Sequence, residues 1–510
     1  MKNALLITAF LFILPFKTVY PQTAKSYPAD VELVLQKAKN NRKELEKFLN
    51  YCLESKDSLK WKAGCFLVAN MDIHYSETFY WADSLNNKVP FNELDYSNYS
   101  LSINAFKDLS AKTKLHPIIR KEYDIDAING DFLIRNIERA FTDWRKPVCR
   151  NLAFDEFCEY LLPYRSMTEK LEDWQKEYAD TFKLSESIQL GASIRTIANQ
   201  LNNKLGGYFV SSFSYEEKNN PVSFLSPSQL LFRKRGHCED MVNLTALALR
   251  SQGLPCRIDM VTYHGTSTGR HFWNATIDEN HQSVPFEGSK SVEEFMINRE
   301  PSKVISITYS KQPNALACQL TSIDIPNNFM RMQNYKDVTN QYWRTQDVSC
   351  SLFKNYSKQF AYAAVLNGLS WSPAWWGKIT NKKEVIFPKM GCGVVYLPMI
   401  YESGKLIPAA YPIMLLDTKE QQILIPNKIN THTIVMKEQD KYLKYRQGKL
   451  YKLFYWDNKW VLLEQQQATD KTELIFENVP TNALLLMVPE YTQHKERPFI
   501  ITSSGERIWW

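Results

Sequence analysis

From Val31 to about Phe182, apolar residues recur at three-to-four spacing among lysines and glutamates: Val31, Val34, Leu35 and Ala38, then Leu45, Phe48, Leu49 and Cys52. A stripe of that period is the face an α-helix buries, so the pattern predicts an all-α domain over 25–183. Phe132, Leu133, Ile137, Ala140, Phe141 and Trp144 make another such face, ended by Pro147. Between 184 and 300 the texture becomes mixed. A helix is expected over 188–201, an irregular stretch at Gly206-Gly207, and a second helix after Cys238. Strands are expected over 257–263, 272–277 and 283–286, separated by Gly265-Thr-Ser-Thr-Gly269 and by Asp278-Glu-Asn280. That reads as helices packed on an antiparallel sheet. A connecting segment over 301–345 leads to 346–510, where short apolar runs such as Gly393-Val-Val-Tyr-Leu397 alternate with turn residues such as Glu402-Ser-Gly404. This is the texture of β-sandwich structure, as one unit or as two divided near 430. The fold class is multidomain: an all-α N-terminal region, an α+β core and a C-terminal β region.

The 510 residues agree with about three domains at roughly 150 residues each. Lys and Arg number 62 against 55 Asp and Glu, with no basic run, so nucleic-acid binding drops out. Lys2 precedes the uncharged stretch from Ala4 to Phe16, which Lys17 closes. That pattern predicts a signal peptide over 1–22 and export, to a periplasmic, secreted or cell-surface location. The stretch is shorter than the roughly 20 residues a membrane span needs, and no membrane span is expected in the mature chain. Nine cysteines make an odd number, so at least one thiol is expected to be free or paired with another chain; they are scattered without a C-x-x-C pair, and most are expected in the core.

The chemistry concentrates at Gly236-His237-Cys238-Glu239-Asp240. Met241, Leu244, Leu247 and Ala248 share a helical face, so Cys238 stands at the start of a buried helix. There the helix dipole and unpaired N–H groups favour a thiolate, and a lowered thiol pKa is expected. Asp240 suits the same dipole and is read as a helix-start stabiliser. His271 opens a strand and Glu287 closes the next, so antiparallel pairing brings Glu287 to the imidazole. Nucleophile, base and orienting acid are then Cys238, His271 and Glu287. Asp278 is the alternative acid, although it falls in a turn. His237, His264 and His281 are read as loop or surface imidazoles. A zinc site from Cys238, Cys256, His264 and His271 fits no paired-ligand spacing.

These residues carry a resemblance. G-x-C-x-D at Gly236 to Asp240, Gly253-Leu-Pro-Cys-Arg257 before a strand, and His271-Phe-Trp273 are similar to the transglutaminase-like superfamily, whose core is a papain-like cysteine fold. Ala69-Asn70-Met71 and Phe157-Cys-Glu-Tyr-Leu-Leu-Pro-Tyr-Arg165 also resemble segments of exported Bacteroidetes multidomain proteins with this domain. The resemblance implies a papain-like core over 184–300 and gives Cys238, His271 and Glu287 the roles just described. The family usually has Asp where Glu287 stands. No upstream oxyanion-hole side chain is assigned; Gln229 and Gln200 are available. The implied activity is that of a cysteine peptidase, amidase or acyltransferase acting on a protein, peptide or glycopeptide through an acyl-thioester, with no metal or organic cofactor. The alternative is an idle scaffold that binds a glycan or protein partner through the C-terminal aromatics Trp371, Trp375, Trp376, Trp509 and Trp510, against which stands their use as sandwich core.

Overall fold

The computed structural model describes residues 27–184, 191–211, 224–288, 292–439, 443–469 and 473–510. The expected signal peptide over 1–22 lies outside the described residues. The chain opens with α1 (Ala29–Lys37), α2 (Arg42–Glu54) and α3 (Ser58–Ala69), which bury the predicted stripe of Val31, Val34, Leu35, Leu45, Phe48 and Leu49. At roughly 1.5–3 kcal/mol for each large side chain removed from water, that stripe is what holds three short helices together. The helical region is interrupted by a sheet that its periodicity did not announce. Strands β1 (Tyr75–Ala82) and β2 (Lys88–Val89) are followed by α4 (Tyr99–Lys112) and β3 (His116–Tyr123), in the antiparallel order β2-β1-β3. The run Tyr75-Ser-Glu-Thr-Phe-Tyr-Trp is rich in aromatic side chains, which suit a pleated, half-buried surface better than a helix. Helices α5 (Gly130–Trp144) and α6 (Phe154–Tyr160) then complete the N-terminal core.

The central domain begins with α7 (Gln175–Thr181) and α8 (Ile194–Tyr208). Ser193 caps α8, accepting from the N–H of Thr196, so this helix starts at Ile194, and positions 188–190 of the helix expected over 188–201 lie outside the described residues. It also runs through Gly206 and Gly207, where an irregular stretch was expected, because Leu201 and Leu205 below them are fully buried. Helix α9 (Pro227–Arg233) leads into α10 (Cys238–Ser251), whose residues from Asp240 to Ser251 are all buried. A helix apolar or satisfied on every side is the centre of a domain and not its surface. It packs on a sheet of β4 (Arg257–Val261), β5 (His271–Ile277), β6 (Ser283–Phe286), β7 (Val304–Ile307) and β8 (Tyr335–Asp337), in the order β8-β7-β4-β5-β6 with antiparallel neighbours.

The C-terminal region is all-β, as expected. Eight strands between Thr345 and Ile423 form one antiparallel sheet. Its edge strands, Thr345–Ser351 and Gln421–Ile423, are tied by hydrogen bonds between the Gln421 side chain and the Ser349 backbone, so the sheet curls almost into a barrel. Beyond it, the pair Asn427–Lys437 with Glu473–Thr481 accompanies a five-stranded sheet ending at Arg507–Trp509. Trp375 and Trp376 are buried beside Tyr335, and Trp510 is buried too; Trp371 and Trp509 remain half-buried.

Two buried cations fasten these parts to the central sheet. Arg250 of α10 donates to the carbonyls of Tyr160, Arg165 and Cys256 at 3.0, 2.7 and 2.9 Å. Lys303, fully buried, donates to Asp337 at 2.6 Å and to the Pro388 and Lys389 carbonyls at 2.7 and 2.6 Å. Buried charges persist only when paired and hydrogen-bonded in this way.

Candidate functional site

The approach to Cys238 is set by backbone chemistry. Ser226 and Gln229 form a capping box at the start of α9, and Lys234, in the left-handed region at φ 55°, ends that helix. Arg235 and Gly236 pair in parallel with Val210 and Ser211, and His237 becomes the N-cap of α10. The Asp240 carboxylate folds back over this turn, accepting from the N–H of His237 at 2.9 Å and of Leu225 at 3.4 Å. A Cβ on residue 236 would stand 2.6 Å from Asp240 Oδ2. Glycine is therefore required at the first position of G-x-C-x-D because the aspartate at its last position occupies the space. Burial raises the Asp240 pKa, while the two backbone donors pull it back.

Cys238 is the first residue of α10 and is half-buried. Its thiol is pushed up to about 12, chiefly by burial and then by the adjacent Glu239 carboxylate. The backbone groups of Glu239 and Phe272 and the charge of Arg270 act in the opposite sense and do not prevail. This corrects the expectation of a lowered thiol pKa: the helix start supplies its donors, but desolvation of the thiolate costs more than they return. The thiol donates towards Glu239 Oε2 at 3.8 Å, and Glu239 Oε1 accepts from Arg270 at 2.9 Å. The residue after the thiol is thereby bridged to the residue before His271.

His271 opens β5, and Glu287 follows the last residue of β6. The ladder pairs Asn274 with Phe286, which puts Glu287 opposite Trp273 and diagonal to His271 on the same face. The glutamate spans that diagonal, and its Oε1 lies 2.8 Å from His271 Nε2. With Nε2 so engaged, Nδ1 is the nitrogen left to exchange a proton. Both side chains are about one-third exposed, at 34% and 31%. Fully buried Trp273 supports the imidazole, with the ring centroids 6.1 Å apart.

The remaining sequence candidates are placed elsewhere. Asp278 follows the last residue of the same strand, seven residues beyond His271 and roughly 20 Å away at about 3.3 Å per residue. Its Oδ1 accepts from the N–H groups of Asn280 and Gln282, which is the turn role of such a residue. Gln229 is committed to Glu93, at 2.6 Å, and to the Ser226 N–H. Gln200 is exposed on α8. His281 pairs with Glu156 at 2.9 Å. His264 lies in the connection between β4 and β5, as a loop imidazole should, but not at the surface: it is buried, its Nδ1 has no hydrogen-bond partner, and burial and then the nearby His271 charge lower its pKa to about 4. The only signal for it in the sequence was its place just before the Gly265 to Gly269 turn. All nine cysteines are free thiols, six of them buried, so the odd count does not itself single out Cys238. Among the described residues no group of three or more His, Cys, Asp or Glu is placed to hold a metal ion, and no helix is long and apolar enough to cross a membrane.

Comparison with known proteins bears on this region. The family model described as the transglutaminase-like superfamily matches residues 189–287, which contain Cys238, His271 and Glu287. No curated protein matches. Among solved structures, that of red sea bream transglutaminase aligns at 9% identity over 85% of this chain and 77% of its own, with a TM-score of 0.20. The family model alone identifies the central domain as a transglutaminase-like superfamily domain.

Proposed function

We propose that the transglutaminase-like domain of this chain uses Cys238 to attack an amide carbonyl of a protein, peptide or glycopeptide. The domain supports cysteine-dependent acyl transfer or hydrolysis as a class. The observation that carries the finer reading is the His271–Glu287 contact at 2.8 Å, on the strand whose Phe272 backbone group acts on the Cys238 sulfur. In this mechanism His271 Nδ1 takes the thiol proton while Glu287 holds Nε2 and stabilises the imidazolium. Sulfur bonds to the carbonyl carbon, the C–N bond breaks, and the imidazolium returns its proton to the departing amine. Water or a primary amine, deprotonated by the same imidazole, then attacks the thioester and releases the thiol. Because the resting thiol is protonated, the imidazole has to remove its proton for attack to occur. The N–H groups at the start of α10 are suited to the oxyanion. Hydrolysis is favoured, since preference for an amine in a half-exposed site needs added architecture. No cofactor enters these steps.

The test is incubation with a panel of peptides and glycopeptides, read by mass for cleavage, ammonia loss or amine incorporation. Product formed by the native chain and absent with Cys238→Ala supports the proposal, and equal product from both sinks it. Export belongs to the same proposal, on the strength of the pattern over 1–22, and is tested by sequencing the N-terminus of the mature protein. A second reading, an idle domain serving as a scaffold, is favoured by Glu239 beside the thiol and by the raised thiol pKa. Glycan binding by half-buried Trp371 and Trp509 belongs to that reading.

A further inference from the structure

A cavity of about 220 Å³ opens where β1 and α4 of the N-terminal region meet α9. An opening of roughly 150 Å³ already holds a benzene ring, so this one has room for a single long side chain. Its apolar wall is a cluster of rings: Phe79 and Trp81 are 5.5 Å apart, Trp81 and Phe106 4.7 Å, Phe91 and Phe106 5.1 Å. Trp81 is buried, and the three phenylalanines are half-buried. Glu77 alternates with Phe79 and Trp81 along β1 and so shares their face.

The charges lining the cavity do not cancel. Glu93 is paired with Arg233 at 2.7 Å, and Glu172 lies 3.7 Å from Lys170 while accepting from the Ser228 N–H at 3.0 Å. That leaves the Glu77 carboxylate. Lys121 stands opposite it in the β1–β3 ladder but holds its ammonium 4.3 Å from the centre of the Tyr75 ring. Aromatic faces attract cations and also cover an aliphatic stem, and a carboxylate completes that preference.

We propose that this cavity binds an alkyl cation, the side chain of arginine or lysine, with its stem along Phe79, Phe91 and Phe106 and its charged head at Glu77. The site is independent of the chemistry at Cys238, and its test is a binding measurement. Calorimetric titration of the full chain would compare acetyl-arginine amide, an alanine–arginine–alanine peptide and their citrulline counterparts, which keep the shape and lose the charge. The arginine probes should bind roughly tenfold more tightly than the citrulline ones, a difference of about 1.4 kcal/mol. Glu77→Gln should remove that difference, and Phe106→Ala should weaken both kinds of probe. Tighter binding of the peptide supports a polypeptide as the source of the cation, and equal binding supports a small free amine. Equal affinity for arginine and citrulline, absence of binding by both, or a preference that survives Glu77→Gln overturns the proposal. Thermal melting of each variant separates loss of the site from loss of the fold.

Discussion

The β5–β6 hairpin carries a histidine–glutamate pair at each end, and the two pairs are nearly the same length. At the open end His271 meets Glu287 at 2.8 Å, and at the turn His281 meets Glu156 at 2.9 Å. Their surroundings differ. His281 stands beside the tight Asp278 turn with its side chain 53% exposed, and its partner Glu156 also accepts from the Ala153 N–H at the start of α6. An exposed pair of this kind contributes up to about 1 kcal/mol of stability. His271 rests on buried Trp273, beside the strand residue whose backbone acts on a half-buried thiol. A short contact between imidazole and carboxylate is therefore not a catalytic signature. What distinguishes the open end is a thiol, that of Cys238, held by a separate element of the fold.

The largest effect expected from breaking this comparison is kinetic. Glu287→Gln should lower kcat/KM by roughly 10²- to 10⁴-fold, the range seen when an orienting or general-base contribution is lost. Glu156→Gln should leave turnover unchanged and cost up to about 1 kcal/mol of stability through the lost His281 pair, since glutamine keeps the oxygen that accepts from the Ala153 N–H, measured by urea denaturation. Equal kinetic losses at the two ends would remove the distinction. Next in size is Gly236→Ala. The new Cβ would meet Asp240 Oδ2 at 2.6 Å and Asp240 Cβ at 2.8 Å, so a destabilisation of about 1–3 kcal/mol is expected in the same assay. Wild-type stability in this variant would show that the Asp240 turn does not hold the thiol in place.

The smallest effect concerns the thiol itself. Burial and Glu239 hold the Cys238 thiol up at about 12, so near neutral pH it is protonated and resists alkylation. Removing the neighbouring negative charge favours the thiolate, so Glu239→Gln should move the midpoint of iodoacetamide labelling at Cys238 to lower pH. An unchanged or raised midpoint would mean that burial alone sets it.

Much of this was legible in the chain. The strand Ser283–Phe286 was expected at its observed bounds, and β5 begins one residue before the expected 272. Alternation and turn residues are local signals, and this hairpin obeys them. The three-stranded sheet at 75–123 is masked in the sequence by the helical periodicity on both sides of it. The helix through Gly206 and Gly207 was missed because glycine's local cost there is outweighed by the burial of Leu201 and Leu205. The burial of His264 in its loop has no local signal because it depends on elements distant in sequence: Gly265 packs so closely on Val394 that a Cβ would stand 2.3 Å from that side chain.

By itself the sequence determined the spacing G-x-C-x-D, the helix it starts and the order of thiol, imidazole and carboxylate, because each is encoded within a few residues of local pattern. Only the tertiary structure decided which carboxylate meets His271. Asp278 and Glu287 are both near it along the chain, but strand rise carries one to the far end of the hairpin while antiparallel pairing returns the other to the imidazole. The tertiary structure also decided the protonation of the thiol, since desolvation is a property of everything packed around a group and not of the helix that bears it.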